Sequence, residues 1–162
     1  MIRILPMDKE YEFSGDSVEN VQEKFFLTEL PSRNDDIGQG KYCYKTNGMN
    51  IDKQTTLVLF QYENKIIASA RLYDITKFDE PEDVYYGAFY FEPTSIQVFK
   101  AISNEEINNI FQCKKKFGQV KHYLDTTYLD TFMSKLLNTK FVNIGNLSVN
   151  VNTTCVPNNR EN

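Results

Sequence analysis

The stretch TTLVLFQYENKIIASARLYDI, from Thr55 to Ile75, constrains the fold more than any other. Two β-rich runs, Val58 to Tyr62 and Ile66 to Leu72, flank a tight turn at Glu63 to Lys65 and read as a hairpin. Leu57 to Phe60 is continuously apolar, which suits a central strand covered on both faces. Leu57, Leu59, Ile67 and Ile75 are therefore expected in the core. The second strand carries one charge, Arg71, directly after the small residues Ala68, Ser69 and Ala70. An arginine inside a sheet needs carboxylate, carbonyl or ligand partners; the plain alternative is an outward-facing strand residue.

The rest of the chain arranges itself around this hairpin. MIRILPM reads as a short strand stopped by Pro6. SGDSVENVQEKFFLTEL has a helix start at Asp16 or Ser17, apolar positions Val18, Val21, Phe25 and Leu30 at helical spacing, and Pro31 to close it. A polar, glycine-bearing loop leads to a short strand around Tyr42 to Tyr44, and Asn47-Gly48 signals a turn. After the hairpin an acidic loop, Asp79 to Asp83, precedes a strand from Tyr86 to Phe91. TSIQVFKAI is a further strand. Ser103 and Glu106 form a capping box that opens a helix with Ile107, Ile110 and Phe111 facing inward.

From Gln119 to Leu137 the apolar residues again fit helical spacing, with Thr126-Thr127 as a break. The Asn-rich end has room for one strand at Leu147 to Val151 and then frays. The expected domain covers residues 1–140, with a tail over 141–162 that adds little to stability from Thr153 onward. Strands in the middle and helices on either side make this an α+β protein with a curved mixed or antiparallel sheet.

Composition narrows the function. At 162 residues the chain can bury one core without staples. A net charge of -4 argues against non-specific duplex binding, which rests on a basic surface. No signal peptide and no long apolar run is visible, so a cytoplasmic protein is expected, with Cys43, Cys113 and Cys155 as reduced thiols. With His122 as the sole histidine, no metal site is expected, and no cofactor. Phosphate loops, the dinucleotide fingerprint, the nucleophile elbow and the zinc-protease motif are missing. Hence no catalytic residue stands out, and a binding module is expected rather than an enzyme.

Positive charge concentrates at Lys114, Lys115, Lys116 and Lys121, with Phe117 and Tyr123 interleaved. Such a run suits phosphate contact beside stacked bases, although a solvated connection looks the same in sequence. Aromatic residues, all Phe and Tyr, make up 14% of the chain, and Tyr42, Tyr44, Phe60, Tyr62, Tyr85 and Tyr86 crowd the strand region. Each alone is an ordinary core or sheet residue; together they exceed what a plain core needs.

LVLFQYENKIIASARLYDI resembles the central hairpin of EVE and ASCH domains in the PUA-like superfamily. There a strand ending in phenylalanine-x-tyrosine meets a short turn and a strand of the form Ile-Ile-Ala-x-Ala. SIQVFKAISNEEINNIF is similar to the EVE-type strand and following helix, with Ala101 where those domains carry proline. The run from Met1 to about Leu137 also resembles domains found ahead of HNH nucleases in restriction-type proteins, but this chain has no HNH motif. The ASCH pattern Gly-x-Lys-x-x-Glu-x-Arg is absent too.

The resemblance implies a PUA-like pseudo-barrel with flanking helices, whose aromatic cleft accepts a modified or flipped-out base of a nucleic acid. Ser32, Arg33, Tyr42, Tyr44, Phe60, Gln61, Tyr62, Arg71 and Tyr86 would then line the base site, and Lys114, Lys115, Lys116 and Lys121 would meet phosphate. A restriction, defence or mobile-element setting follows from the same resemblance, with a separate nuclease or host protein as a partner and no membrane. Two other readings stay open. One is an ASCH-like hydrolase acting on RNA, using Arg71, Lys41 and Tyr62; the other is a phage or mobile-element inhibitor that binds a host protein.

Overall fold

The structure, a computed structural model, describes residues 1–8, 13–45, 56–146 and Cys155. The turn expected at Asn47-Gly48 and the strand expected at Leu147 to Val151 lie outside the described residues. Strand β1 (Ile2–Pro6) runs parallel to β3 (Thr56–Tyr62), and β3 pairs antiparallel with β4 (Lys65–Glu82). β4 pairs in turn with β5 (Tyr85–Phe91), and β5 with β2 (Lys41–Tyr44). β6 (Gln97–Ser103) joins the first part of β4, where β5 is not yet its neighbour. Two-residue strands finish the sheet: β7 (Tyr123–Leu124) on β1 and β8 (Lys140–Phe141) on β6. Among the described residues this is one mixed, open sheet of eight strands, an α+β architecture.

Alternation along β3 explains the continuous apolar run. Val58, Phe60 and Tyr62 enter one core cluster with Phe25, Phe26 and Leu30 of the first helix. Leu59 enters a second, with Ile107, Ile110 and Phe111 of α2 (Asn104–Phe111) and Phe132 of α3 (Leu129–Ser134). The strand is thus covered on both faces, as its composition demands. Leu59 and Ile67 are fully buried, while Leu57 and Ile75 are only partly so.

The first helical segment, α1, starts as Val18–Asn20, continues as a π-helix over Val21–Glu29 and ends as Leu30–Ser32. Ser17 caps it by accepting from the Asn20 N–H. The π winding matches the spacing of the buried residues. Phe25 and Leu30 lie five apart, and the Leu30 N–H donates to the Phe25 carbonyl. Gln22 fastens the segment to the sheet, its Nε2 donating to Ile67 O at 2.9 Å and Phe99 O at 2.7 Å.

Four sequence expectations are corrected here. The β3–β4 turn is centred on Glu63 and Asn64, both at positive φ, and Lys65 already belongs to β4. A two-residue turn with both residues in that region matches the right-handed twist of its strands. Second, the acidic run is not a loop: β4 carries it to Glu82, and Pro81 sits where the β4–β5 register slips between Lys77 and Glu82. Third, residues 121–124 are extended rather than helical. Ile4 N donates to His122 O, and Leu124 pairs with Ile2, so cross-strand bonds override the helical spacing. Fourth, Cys43 and Cys155 are joined by a disulfide, whereas Cys113 keeps a free thiol that donates to Asn108 Oδ1. No helix among the described residues is long and apolar enough to cross a membrane.

Candidate functional site

A cleft of about 800 Å³ opens beside the end of β1. Leu5, Pro6 and Met7 form its floor with Phe13; Tyr42, Tyr44 and Lys45 form one wall. Gln61, Glu63 and Asn64 of the β3–β4 hairpin line it as well, and Gly118, bonded to Gln61, continues the lining with Gln119 and Lys121. Tyr85 and Asp8 complete the rim, where Lys45 forms an ion pair with Asp8. Of the residues expected to bind ligand, the structure gathers Tyr42, Tyr44, Gln61 and Lys121 here.

The cleft tyrosines offer little ring face. Tyr44 stacks on Phe89 with centroids 4.7 Å apart, and its hydroxyl donates to Thr76 O at 3.1 Å. Burial raises its hydroxyl above the usual tyrosine range. Tyr42 packs against Phe25, Phe60, Phe89 and Phe91. Tyr42 and Tyr44 are only 6% and 9% exposed, so neither has a ring face free for stacking.

Gln61 is the polar feature of the wall. It is 6% exposed; its Nε2 donates to Gly118 O at 3.2 Å, and its Oε1 has no hydrogen-bond partner among the described residues. A buried acceptor without a donor costs about 1–3 kcal/mol, and a turn of the amide toward the cleft would let a ligand N–H recover part of that. Lys121, on the same lining, has its ammonium pushed below the usual lysine range, by burial first and by neighbouring Arg3 second. An anion beside it would relieve both effects.

The other expected residues lie elsewhere. Phe60 is fully buried between Phe26, Tyr42 and Phe91. Tyr62 is buried too, its hydroxyl donating to Asp16 O at 2.6 Å. Ser32 caps inward by donating to Glu29 O, and Arg33 is buried at the helix end with its guanidinium 5.8 Å from the Phe25 ring centre. Arg71 faces outward and meets Glu92 at 3.9 Å. That resolves why an arginine shares the hairpin with two aromatic residues: Phe60 and Tyr62 point into the core, and Arg71 points to solvent. Tyr86 is exposed on the face of β5 opposite Tyr85.

Lys114 and Lys116 are exposed on a loop pinned to α2. Asn104 and Asn108 both donate to Lys115 O, Asn108 accepts from Lys115 N, and Phe117 is buried beneath. The loop leads straight into the Gly118–Lys121 wall. Lys41 and Tyr62, considered for hydrolysis with Arg71, do not line the cleft either. Lys41 is buried against Asp35 at 3.1 Å.

No family model matches the sequence, and no curated protein does. Solved structures share the fold. A serine-to-alanine mutant of the ASCH protein of Zymomonas mobilis superposes with a TM-score of 0.52 at 8% identity, over 83% of this chain and 96% of that one. The unmutated ASCH protein gives 0.50 at 8% identity, over 83% and 95%. The fold is that of an ASCH domain. At that identity the likeness is one of architecture, so the chemistry of the cleft has to be argued from this chain's own residues.

Within this ASCH fold, sequence reading missed Lys45, Tyr85 and the Gly118–Gln119 wall. Tyr85 stands among the rings that crowd the strand region in sequence, but Tyr86 rather than Tyr85 is expected in the base site; only strand parity separates the two, and the register slip before Glu82 hides that parity. The Gly118–Gln119 wall carries no signal while residues 119–124 read as helix.

Proposed function

We propose that the chain is a nucleic-acid-binding module whose cleft takes one unpaired base, modified or flipped out of a duplex, and reads its edge. The observation that supports this is Gln61: a buried carbonyl oxygen without a donor among the described residues, on the lining of an open cleft that Lys121 shares. An exocyclic amine or ring N–H of a base would satisfy that oxygen, and Lys121 would meet the adjoining phosphate. The Lys114–Lys116 loop lies just ahead of the same wall and supplies sequence-independent attraction. The resemblance to domains that precede HNH nucleases is the ground for placing the module in restriction, defence or mobile-element biology.

The test is a titration with single-stranded and duplex oligonucleotides, with and without modified cytosine and adenine, at two salt concentrations. Binding tighter than about 100 μM at low salt, the weak end of ordinary non-specific affinity, is expected. Gln61→Met keeps the length of the side chain but removes the acceptor together with the bond to Gly118 O, and should weaken the preferred ligand by at least about 2- to 12-fold, the value of one hydrogen bond. Neutralising Lys114 to Lys116 should weaken all sequences alike and flatten the salt dependence. If no oligonucleotide reaches that threshold, the reading fails, and a protein partner becomes the better explanation of the cleft.

A further inference from the structure

The cleft tyrosines are almost fully buried, so a stacked base needs another ring. Tyr123 supplies one. It is 47% exposed on β7, the outermost strand beyond β1, and the Arg3 guanidinium lies 3.6 Å from its ring centre. Arg3 is itself held from two sides. It pairs with Tyr123 in the β1–β7 ladder, and its Nη2 donates to Lys121 O at 2.9 Å. The guanidinium covers one face of this half-exposed ring and fixes its tilt, which leaves the opposite face as the one a base could take.

We propose that Tyr123, backed by Arg3, is a second base-binding subsite, so that the ligand is a single strand of at least two nucleotides running from the cleft past Lys121 onto the Tyr123 ring. This rests on the cleft reading above and adds a direction and a minimum length to it. In the extended stretch before β7, residues 121 and 123 point to the same side, about 7 Å apart. One lines the cleft and the other lies outside it, which leaves Lys121 between two ring sites, where a bridging phosphate belongs. Two cations, Arg3 and Lys121, crowd this point, and each lowers the cost of bringing an anion there. A base on the open face of Tyr123 would be stacked on a ring already held by a cation, a geometry in which ring and charge both favour a nucleic-acid strand over an apolar peptide.

The chain contains no tryptophan, so Tyr123→Trp would introduce a single fluorescent reporter at the platform. Stacking should quench that fluorescence when a mixed-sequence single-stranded 10-mer, in RNA and DNA arms, is added. Nucleoside monophosphates should leave it nearly unchanged. In parallel, Tyr123→Thr, which keeps strand propensity but has no ring, should weaken the 10-mer about 5- to 150-fold, with Tyr123→Phe close to the parent protein.

An unquenched tryptophan on a bound 10-mer, or equal affinities for the threonine variant and the parent, would overturn the subsite. If those results come while Gln61→Met still weakens the 10-mer, the cleft reading stands without its second subsite. Quenching with Gln61→Met silent leaves the platform in place and removes the cleft reading. No binding by any 10-mer removes both.

Discussion

Cys43, between the two cleft-wall tyrosines of β2, is bonded to Cys155, 112 residues further along the chain. Both are buried, and the Cys155 N–H also meets Glu82 at the far end of β4. The cross-link therefore ties Cys155 to the strand that walls the cleft. This overturns the sequence expectation that Cys43 and Cys155 are reduced thiols, and it gives Cys155 a structural role inside a stretch whose composition suggests none.

Closing a loop of that length restricts the unfolded chain, and losing a native disulfide in a small domain typically costs 2–5 kcal/mol. Cys155→Ser should lower stability by about that amount in non-reducing urea titrations. Adding reductant should bring the parent protein down to the variant and leave the variant unmoved. A variant as stable as the parent would show that the bond does not form in solution.

Leu59 is fully buried in the cluster that joins β1, β3, α2 and α3. Leu59→Ala should cost about 2–5 kcal/mol, because the helices and the sheet cannot collapse together to fill the space. Leu57→Ala, two positions away on the same face but partly exposed, should cost clearly less. Chemical denaturation of the pair checks how burial falls off along that face: equal losses would mean that this face of β3 is not covered as described.

The loop before β2 depends on Asp35, and its pH dependence has a defined sign. Burial alone would raise the Asp35 carboxyl. Hydrogen bonds from the Tyr90 hydroxyl at 2.8 Å and from the Ile37 and Gly38 N–H groups, with Lys41 at 3.1 Å, outweigh burial and hold it below the ordinary 3.8. The ionised form is thus preferred in the folded state, so its stabilisation is complete above the unfolded value and is lost as pH falls from about 4 through the lower folded value. Thermal melts between pH 6 and 2.5 should show this loss. Asp35→Asn should flatten that part of the curve while lowering stability at pH 6; parallel curves would rule the role out.

Local signals were legible and long-range ones were not. Ser17 and Ser103 cap helices because each cap bonds to a residue three positions away, which a sequence window contains. The hairpin strands were legible for the same reason, since their pairing partners are neighbours in sequence. Residues 121–124 were misread because their partner, β1, lies at the other end of the chain, and apolar spacing without that partner fits a helix. The cleft was legible only in part. Tyr42, Tyr44, Gln61 and Lys121 converge on it, but Phe60 and Tyr62 are buried in the core cluster that Tyr42 and Tyr44 also join, and of that part of β3 only Gln61, beside the bulge, reaches the cleft. Tyr123 drew attention only as a ring among lysines, and Arg3 beneath it left no trace in sequence at all.

Gly87 sets the position of Tyr44 and provides the sharpest check on the cleft wall. A Cβ at Gly87 would come within 2.2 Å of the Tyr44 hydroxyl oxygen and 2.3 Å of the Thr76 carbonyl oxygen. The tyrosine could swing away, but the carbonyl belongs to β4 backbone and cannot. Gly87→Ala should therefore destabilise by about 1–3 kcal/mol through overpacking. Tyr44→Phe removes only the hydrogen bond to Thr76 and should cost about 0.5–1.5 kcal/mol. Because the backbone oxygen remains in the way, combining the two changes should not rescue the alanine variant. Urea denaturation of the two single variants and the double variant decides it. A double variant restored to the stability of Tyr44→Phe would mean that only the tyrosine hydroxyl, and not the β4 backbone, crowds Gly87.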